Sequence, residues 1–172
     1  MKTCIHIIVL FSTLFFTSCE SWLDLKPETQ TTEDELFSTV DGYRSVLNGV
    51  YKSMASATLY GRELTFGMLT CMSQQYDLTS DVMREQKYLS AMGLEYGNTD
   101  IKPAVDDIWK SGFNVIANAN NLIQNLEKVS SDMFAKGELE RDLMLGEAYA
   151  CRAMMHFDLL RLFAPAPVSG DQ

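Results

Sequence analysis

LERDLMLGEAYACRAMMHFDLLRLF, running from Leu139 to Phe163, decides the fold. Within it Leu139, Leu143, Gly146, Ala150, Ala153, Phe157 and Leu160 recur at steps of four and three, the spacing that gathers side chains on one face of an α-helix. Helix breakers come only afterwards, at Pro165 and Pro167. Gly146, Ala150 and Ala153 form the middle of the apolar line, and their small side chains predict a neighbouring helix closer than the usual spacing of about 8 to 10 Å.

The candidate neighbour lies immediately upstream. Asp100 and Pro103 mark a helix start, since proline is tolerated in a first turn where its missing N–H has no partner to lose. Val105, Ile108, Gly112, Ile116, Ala119, Ile123 and Leu126 then follow the same periodicity to about Val129, where Ser130-Ser131 ends it. Gly112 and Ala119 offer flat places that match the small residues of the later helix. Two antiparallel helices of roughly 25 residues, each about 37 Å long at 1.5 Å per residue, are expected to form the core.

Further upstream the pairs Thr32/Glu35 and Ser38/Asp41 have the spacing of helix caps. Leu36, Val40, Tyr43, Leu47, Val50 and Met54 follow, so one amphipathic helix, or a short turn plus a helix, is expected over about 33–57. Glycines at 61, 67, 93 and 97 interrupt the pattern between Thr58 and Asp100. Helix is expected over 63–76 and loop over 77–100. No alternating run flanks a hairpin turn, because Asn48-Gly49 falls inside a helical pattern. The expected class is all-α, built from antiparallel helix pairs.

The amino terminus carries a different message. Lys2, an apolar run from Ile5 to Phe16 and a small-residue boundary have the layout of a cleaved export signal over 1–18. The run is shorter than the roughly 20 residues of a membrane span. Phe16-Thr17-Ser18-Cys19 resembles the bacterial lipobox, whose cysteine is acylated and becomes the new amino terminus. Acyl chains at about 0.8 kcal/mol per buried CH₂ would then hold the chain at a membrane. A polar arm over 19–31, with Trp22, Leu23, Leu25 and Pro27, leads into a helical domain over 32–172.

Charge and composition exclude several function classes. The net charge is −9, and loss of 1–18 removes Lys2 and no acid, leaving the remainder one unit more acidic. Such a chain has no basic cluster for nucleic acid, and anionic headgroups would repel it. A hydrophobic content of 47% is that of a globular chain. Of the two cysteines beyond Cys19, Cys151 sits between Ala150 and Ala153 in a helical pattern, which favours small buried thiols over a Cys71–Cys151 disulfide.

Catalytic patterns are not found. His156 is the single histidine after the signal, there is no Cys-x-x-Cys, P-loop, nucleophile elbow or EF-hand loop, and Asp106 and Asp107 cannot face one another on a helix. The sequence therefore predicts no enzyme, no metal site and no cofactor. Two features suit binding. Asn114, Asn118, Asn121 and Asn125 line one helical face with amides able to meet sugar hydroxyls or peptide backbone, although a solvated or helix-bridging polar face is the simpler reading. The tyrosines between Tyr60 and Tyr96, with Trp22, could stack on sugar rings or serve as core and loop anchors.

Gly146, Tyr149, Ala153 and Phe157 together resemble one copy of the tetratricopeptide helix pair. A wider resemblance covers nearly the whole chain. Cys19 with Trp22-Leu23-Asp24 and Pro27, Trp109 with Ile116 and Ala119-Asn120, Gly146-Glu147-Ala148 with Arg152-Ala153, and Phe157-Asp158-Leu159 leading to Arg161-Leu162-Phe163 resemble the amino-terminal part of RagB/SusD-type nutrient-uptake lipoproteins.

That resemblance implies a lipoprotein anchored through Cys19 in the outer membrane and facing outward, built on tetratricopeptide-like helix pairs. It also implies capture of a glycan or peptide, and delivery to a SusC-like TonB-dependent β-barrel transporter, with no bond made or broken. Gly146, Ala150 and Ala153 would be packing residues, and Glu147 and Arg152 would organise the helix pair. The glycine usual in the family after Leu162-Phe163 is Ala164 here. Family members also run several times further than Gln172 and build most of their ligand pocket there. The chain is thus expected to be an amino-terminal piece, with a truncated adaptor lipoprotein as the alternative, and no ligand residue is carried over.

Overall fold

A computed structural model of the chain describes residues 32–77 and 85–165. The export signal, Cys19 and the arm over 19–31 lie outside the described residues, as does Pro167. Among the described residues are six α-helices and no strand, in the order α1 (Glu33–Leu36), α2 (Val40–Met54), α3 (Met68–Met72), α4 (Gln86–Met92), α5 (Lys102–Lys128) and α6 (Glu138–Phe163). The class is all-α. The first stretch is the short turn plus helix that the sequence allowed. Its cap is Thr39 rather than Ser38: the Thr39 hydroxyl accepts from the Gly42 N–H at 3.2 Å, while Ser38 donates to the Glu35 carbonyl at 2.6 Å.

Two corrections concern the middle of the chain. The helix expected over 63–76 shrinks to the five residues of α3, and the loop expected over 77–100 contains α4. Four glycines hid that short helix from periodicity. Glu63, only 3% exposed, ties the segment together. It accepts from Arg62 Nε at 3.0 Å, the Met68 N–H at 3.1 Å, Lys87 Nζ at 3.3 Å and the Tyr88 hydroxyl at 3.3 Å, so its buried charge is matched by two cations and two neutral donors.

The body is a bundle of α2, α5 and α6. Helix α5 carries Pro103 in its first turn and buries Ile108, Gly112, Val115, Ile116, Ala119, Leu122, Ile123 and Leu126. A Cβ added at Gly112 would come within 3.0 to 3.2 Å of the Leu159 side chain of α6, so here two helices do approach closely. Gly137 caps the start of α6, and its φ of +57° is a conformation that glycine adopts at no steric cost.

Side-chain bonds fix the register. Arg152 Nη1 donates to Asn120 Oδ1 at 2.8 Å and the Tyr149 hydroxyl to Glu127, so α5 and α6 run antiparallel. Arg44 pairs with Glu140 and the Tyr51 hydroxyl donates to Glu147 at 2.8 Å, so α2 runs parallel to α6. One core cluster centres on Val50, Leu59, Ile108, Val115 and Met155, and a second on Tyr43, Leu122, Leu126, Phe134 and Met144.

Candidate functional site

The periodic line that identifies α6 as a helix does not form its seam with α5. Met144, Ala148, Cys151, Met155 and Leu159 face the core, together with Glu140 and Asp158. Leu139, Leu143, Gly146, Ala150, Ala153, Phe157 and Leu160 all lie exposed on the other side, with Leu139 at 72% and Leu160 at 63%. A Cβ at Gly146 would meet nothing within 4 Å. The expected close approach at Gly146, Ala150 and Ala153 is therefore not made among the described residues. Helix α6 is apolar on both sides, and spacing alone cannot say which of two apolar faces meets α5.

The polar groups on the inner side explain how charged residues are tolerated there. The Asp158 carboxylate accepts from the Tyr60 hydroxyl at 2.5 Å and from Arg161 Nε at 3.0 Å. Burial, then this bond to Asp158, raises the Tyr60 phenol well above its ordinary range and keeps it a neutral donor. The bond to Glu147 does the same for Tyr51. Glu140 is held below the usual carboxylate range, first by the Lys136 N–H and then by Arg44. Glu147 thus reaches α2, and Arg152 reaches α5 while its guanidinium lies 4.8 Å from the Tyr149 ring.

At one end of the bundle the outer strip adjoins an aromatic group. Trp109 packs against Phe113 at 4.6 Å and edge-on against Phe163 at 4.9 Å. These rings, with His156, Leu159, Leu160 and Ala164, line an apolar cleft of 320 Å³. Trp109 stays 45% exposed and Phe113 41%, so the group is half-covered. On the outer strip itself, the Arg161 guanidinium stands 5.3 Å from the Phe157 ring. The strip is thus long and apolar, small in its middle and bulky at both ends, a shape that receives another helix.

The amide row is partly self-satisfied. Asn118 Nδ2 donates to Asn114 Oδ1 at 3.0 Å and Asn125 Nδ2 to Asn121 Oδ1 at 2.8 Å. Cys71 and Cys151 are both buried and free, and burial pushes both thiols up, which suppresses the reactive thiolate. His156 is exposed. Among the described residues no three His, Cys, Asp or Glu side chains are placed to hold a metal ion, and no helix is long and apolar enough to cross a membrane. Sequence reasoning allowed Tyr60 as an anchor without a partner and missed Tyr51 and Asp158, because the paired residues lie 96 to 98 positions apart.

Comparison with known proteins bears on this geometry. A family model described as SusD-like, starch-binding and associating with the outer membrane, matches residues 21–171. The chain is 27% identical over 165 residues to SusD-like protein P2 of Formosa agariphila, a match that covers 95% of this chain and 30% of that protein. It is 24% identical over 172 residues to SusD-like protein P25 of the same organism, with the same coverage. The chain thus spans less than a third of the length of these curated relatives. No solved structure matches.

Proposed function

This chain belongs to the SusD-like family, and from that membership we propose that it serves nutrient capture at the outer membrane as the amino-terminal part of a glycan- or peptide-binding lipoprotein. In this reading Cys19 carries the lipid anchor and the chain faces outward. The captured ligand passes to a SusC-like TonB-dependent β-barrel, with no bond made or broken. The observation that carries the proposal is the family match over 21–171, nearly the whole chain.

The two-sided helix α6 supports it. A chain whose most regular helix keeps a second apolar face exposed is built to receive further structure, and the relatives contain more than twice as much again. That structure would complete a ligand pocket of which these residues form the helical base. The same face favours the second reading, an adaptor lipoprotein whose α6 docks another protein and which binds no nutrient.

Affinity purification from native outer-membrane fractions, using an antibody against 139–163, tests the proposal. Recovery of a large β-barrel together with glycan or peptide bound to the purified protein is the expected result. Repeated recovery without a barrel would overturn the transport role. Recovery of a barrel-free partner that buries α6, with no ligand bound, would favour the adaptor.

A further inference from the structure

Serine and threonine hydroxyls in this chain mostly turn to nearby backbone, as such side chains commonly do. Ser38 donates to Glu35, Ser53 to Gly49, Thr65 to Tyr60, Thr70 to Thr65 and Ser73 to Thr70. Ser56, Thr58 and Ser111 are half-buried, yet none of their hydroxyls has a protein partner among the described residues. All three line one cleft of 430 Å³ between the end of α2 and the middle of α5, where Ser53, Lys110 and Asn114 complete the wall.

The remaining groups give the cleft a direction. Asp106 is paired with Lys102 at 2.6 Å and also feels the Lys110 charge, but no ion pair closes on Lys110, so its ammonium can still turn to the rim. Asn114 Oδ1 is already occupied by Asn118, which leaves the Asn114 NH₂ to donate outward. The Lys110 ammonium and the Asn114 NH₂ supply donors only, whereas the three hydroxyls both donate and accept. A ligand that uses them all must combine a negative group with hydroxyls of its own.

We propose that this cleft binds a sugar bearing a carboxylate or sulfate group. The negative group meets Lys110 and Asn114, and the ring hydroxyls exchange hydrogen bonds with Ser56, Thr58 and Ser111. A bare anion is a poorer fit, because it leaves the hydroxyl lone pairs unused. The proposal rests on the capture reading and names the ligand class for it.

The full chain in detergent micelles is titrated with trigalacturonate, a sulfated galactose trisaccharide, neutral maltotriose and inorganic sulfate, while backbone amide signals are followed by NMR. One or both acidic sugars are expected to shift Thr58, Ser111 and Asn114 saturably, and maltotriose and sulfate to leave them in place. Lys110→Gln, at an exposed position that the fold does not need, is expected to weaken acidic-sugar binding about tenfold by removing one charge-assisted hydrogen bond. Ser111→Ala should also weaken it without moving the melting temperature. Equal shifts with sulfate alone would reduce the cleft to a simple anion site. Unmoved amides with both acidic sugars, or full affinity in Lys110→Gln, would overturn the proposal even if a β-barrel co-purifies. Failure of the capture reading would show separately, as a missing barrel and not as a silent cleft.

Discussion

Helices α5 and α6 are nearly equal in length, 27 and 26 residues, and pack against each other, yet they differ on the sides turned away. The outer side of α5 is mostly polar, with Asp107, Lys110, Asn114, Asn118 and Gln124 exposed and only Trp109 and Phe113 as large apolar exceptions. The outer side of α6 is mostly apolar from Leu139 to Leu160, with Asp142 and His156 as its exposed polar exceptions. One helix is finished as a surface layer and the other has the composition of a middle layer. Burial, not periodicity, distinguishes the two roles.

The sharpest way to break this comparison uses adjacent leucines. Leu159 is 5% exposed and Leu160 63%. Leu159→Ala is expected to cost about 2 to 5 kcal/mol through lost burial and a residual cavity. Leu160→Ala should stay within about 0.5 kcal/mol of the parent. Urea denaturation of both variants decides it, and equal losses would mean that α6 is buried on both sides already.

Asp158→Asn probes the inner side by a different route. It removes the charge that Tyr60 and Arg161 share, and chemical unfolding should register a loss of about 1 to 3 kcal/mol. A smaller change separates the two helices through their glycines. Gly146→Ala has open space and should stabilise by about 0.8 to 1 kcal/mol through helix propensity. Gly112→Ala forfeits that gain, because its Cβ presses on Leu159. Thermal melts of the pair would show the difference in sign or size.

The least effect is expected at Glu140, whose carboxyl is held low by the Lys136 N–H and Arg44. A depressed folded value means that its stabilisation is present above the ordinary carboxylate range and is lost as pH falls through the depressed one. Glu140→Gln should therefore lower stability modestly at neutral pH, change little at acid pH, and so flatten the acid limb of a stability–pH profile.

The sequence made the long helices legible because each carries an uninterrupted apolar line with a clear stop. Ile108, Gly112, Ile116, Ala119, Ile123 and Leu126 are buried where α5 was expected to bury them. The line on α6 marked a helix but pointed outward, since Met144, Ala148, Cys151 and Met155 form a second line that the first concealed. Helix α4 was missed because seven residues between glycines hold too few turns to show a period. The candidate cleft was illegible for another reason. Of its lining, only Asn114 stood in a pattern, and Ser56, Thr58 and Ser111 acquire meaning only when folding sets them side by side.

Arg44 meets Glu140 and Tyr51 meets Glu147, two contacts each spanning 96 residues and separated by seven positions on both helices. A slip of α2 along α6 by one turn would break both at once. The pairing works as a two-point checksum on assembly. It also leaves an inherited trace: exchange at position 44 or 51 calls for an answering exchange 96 residues on, so among descendants of one ancestor these columns should change together.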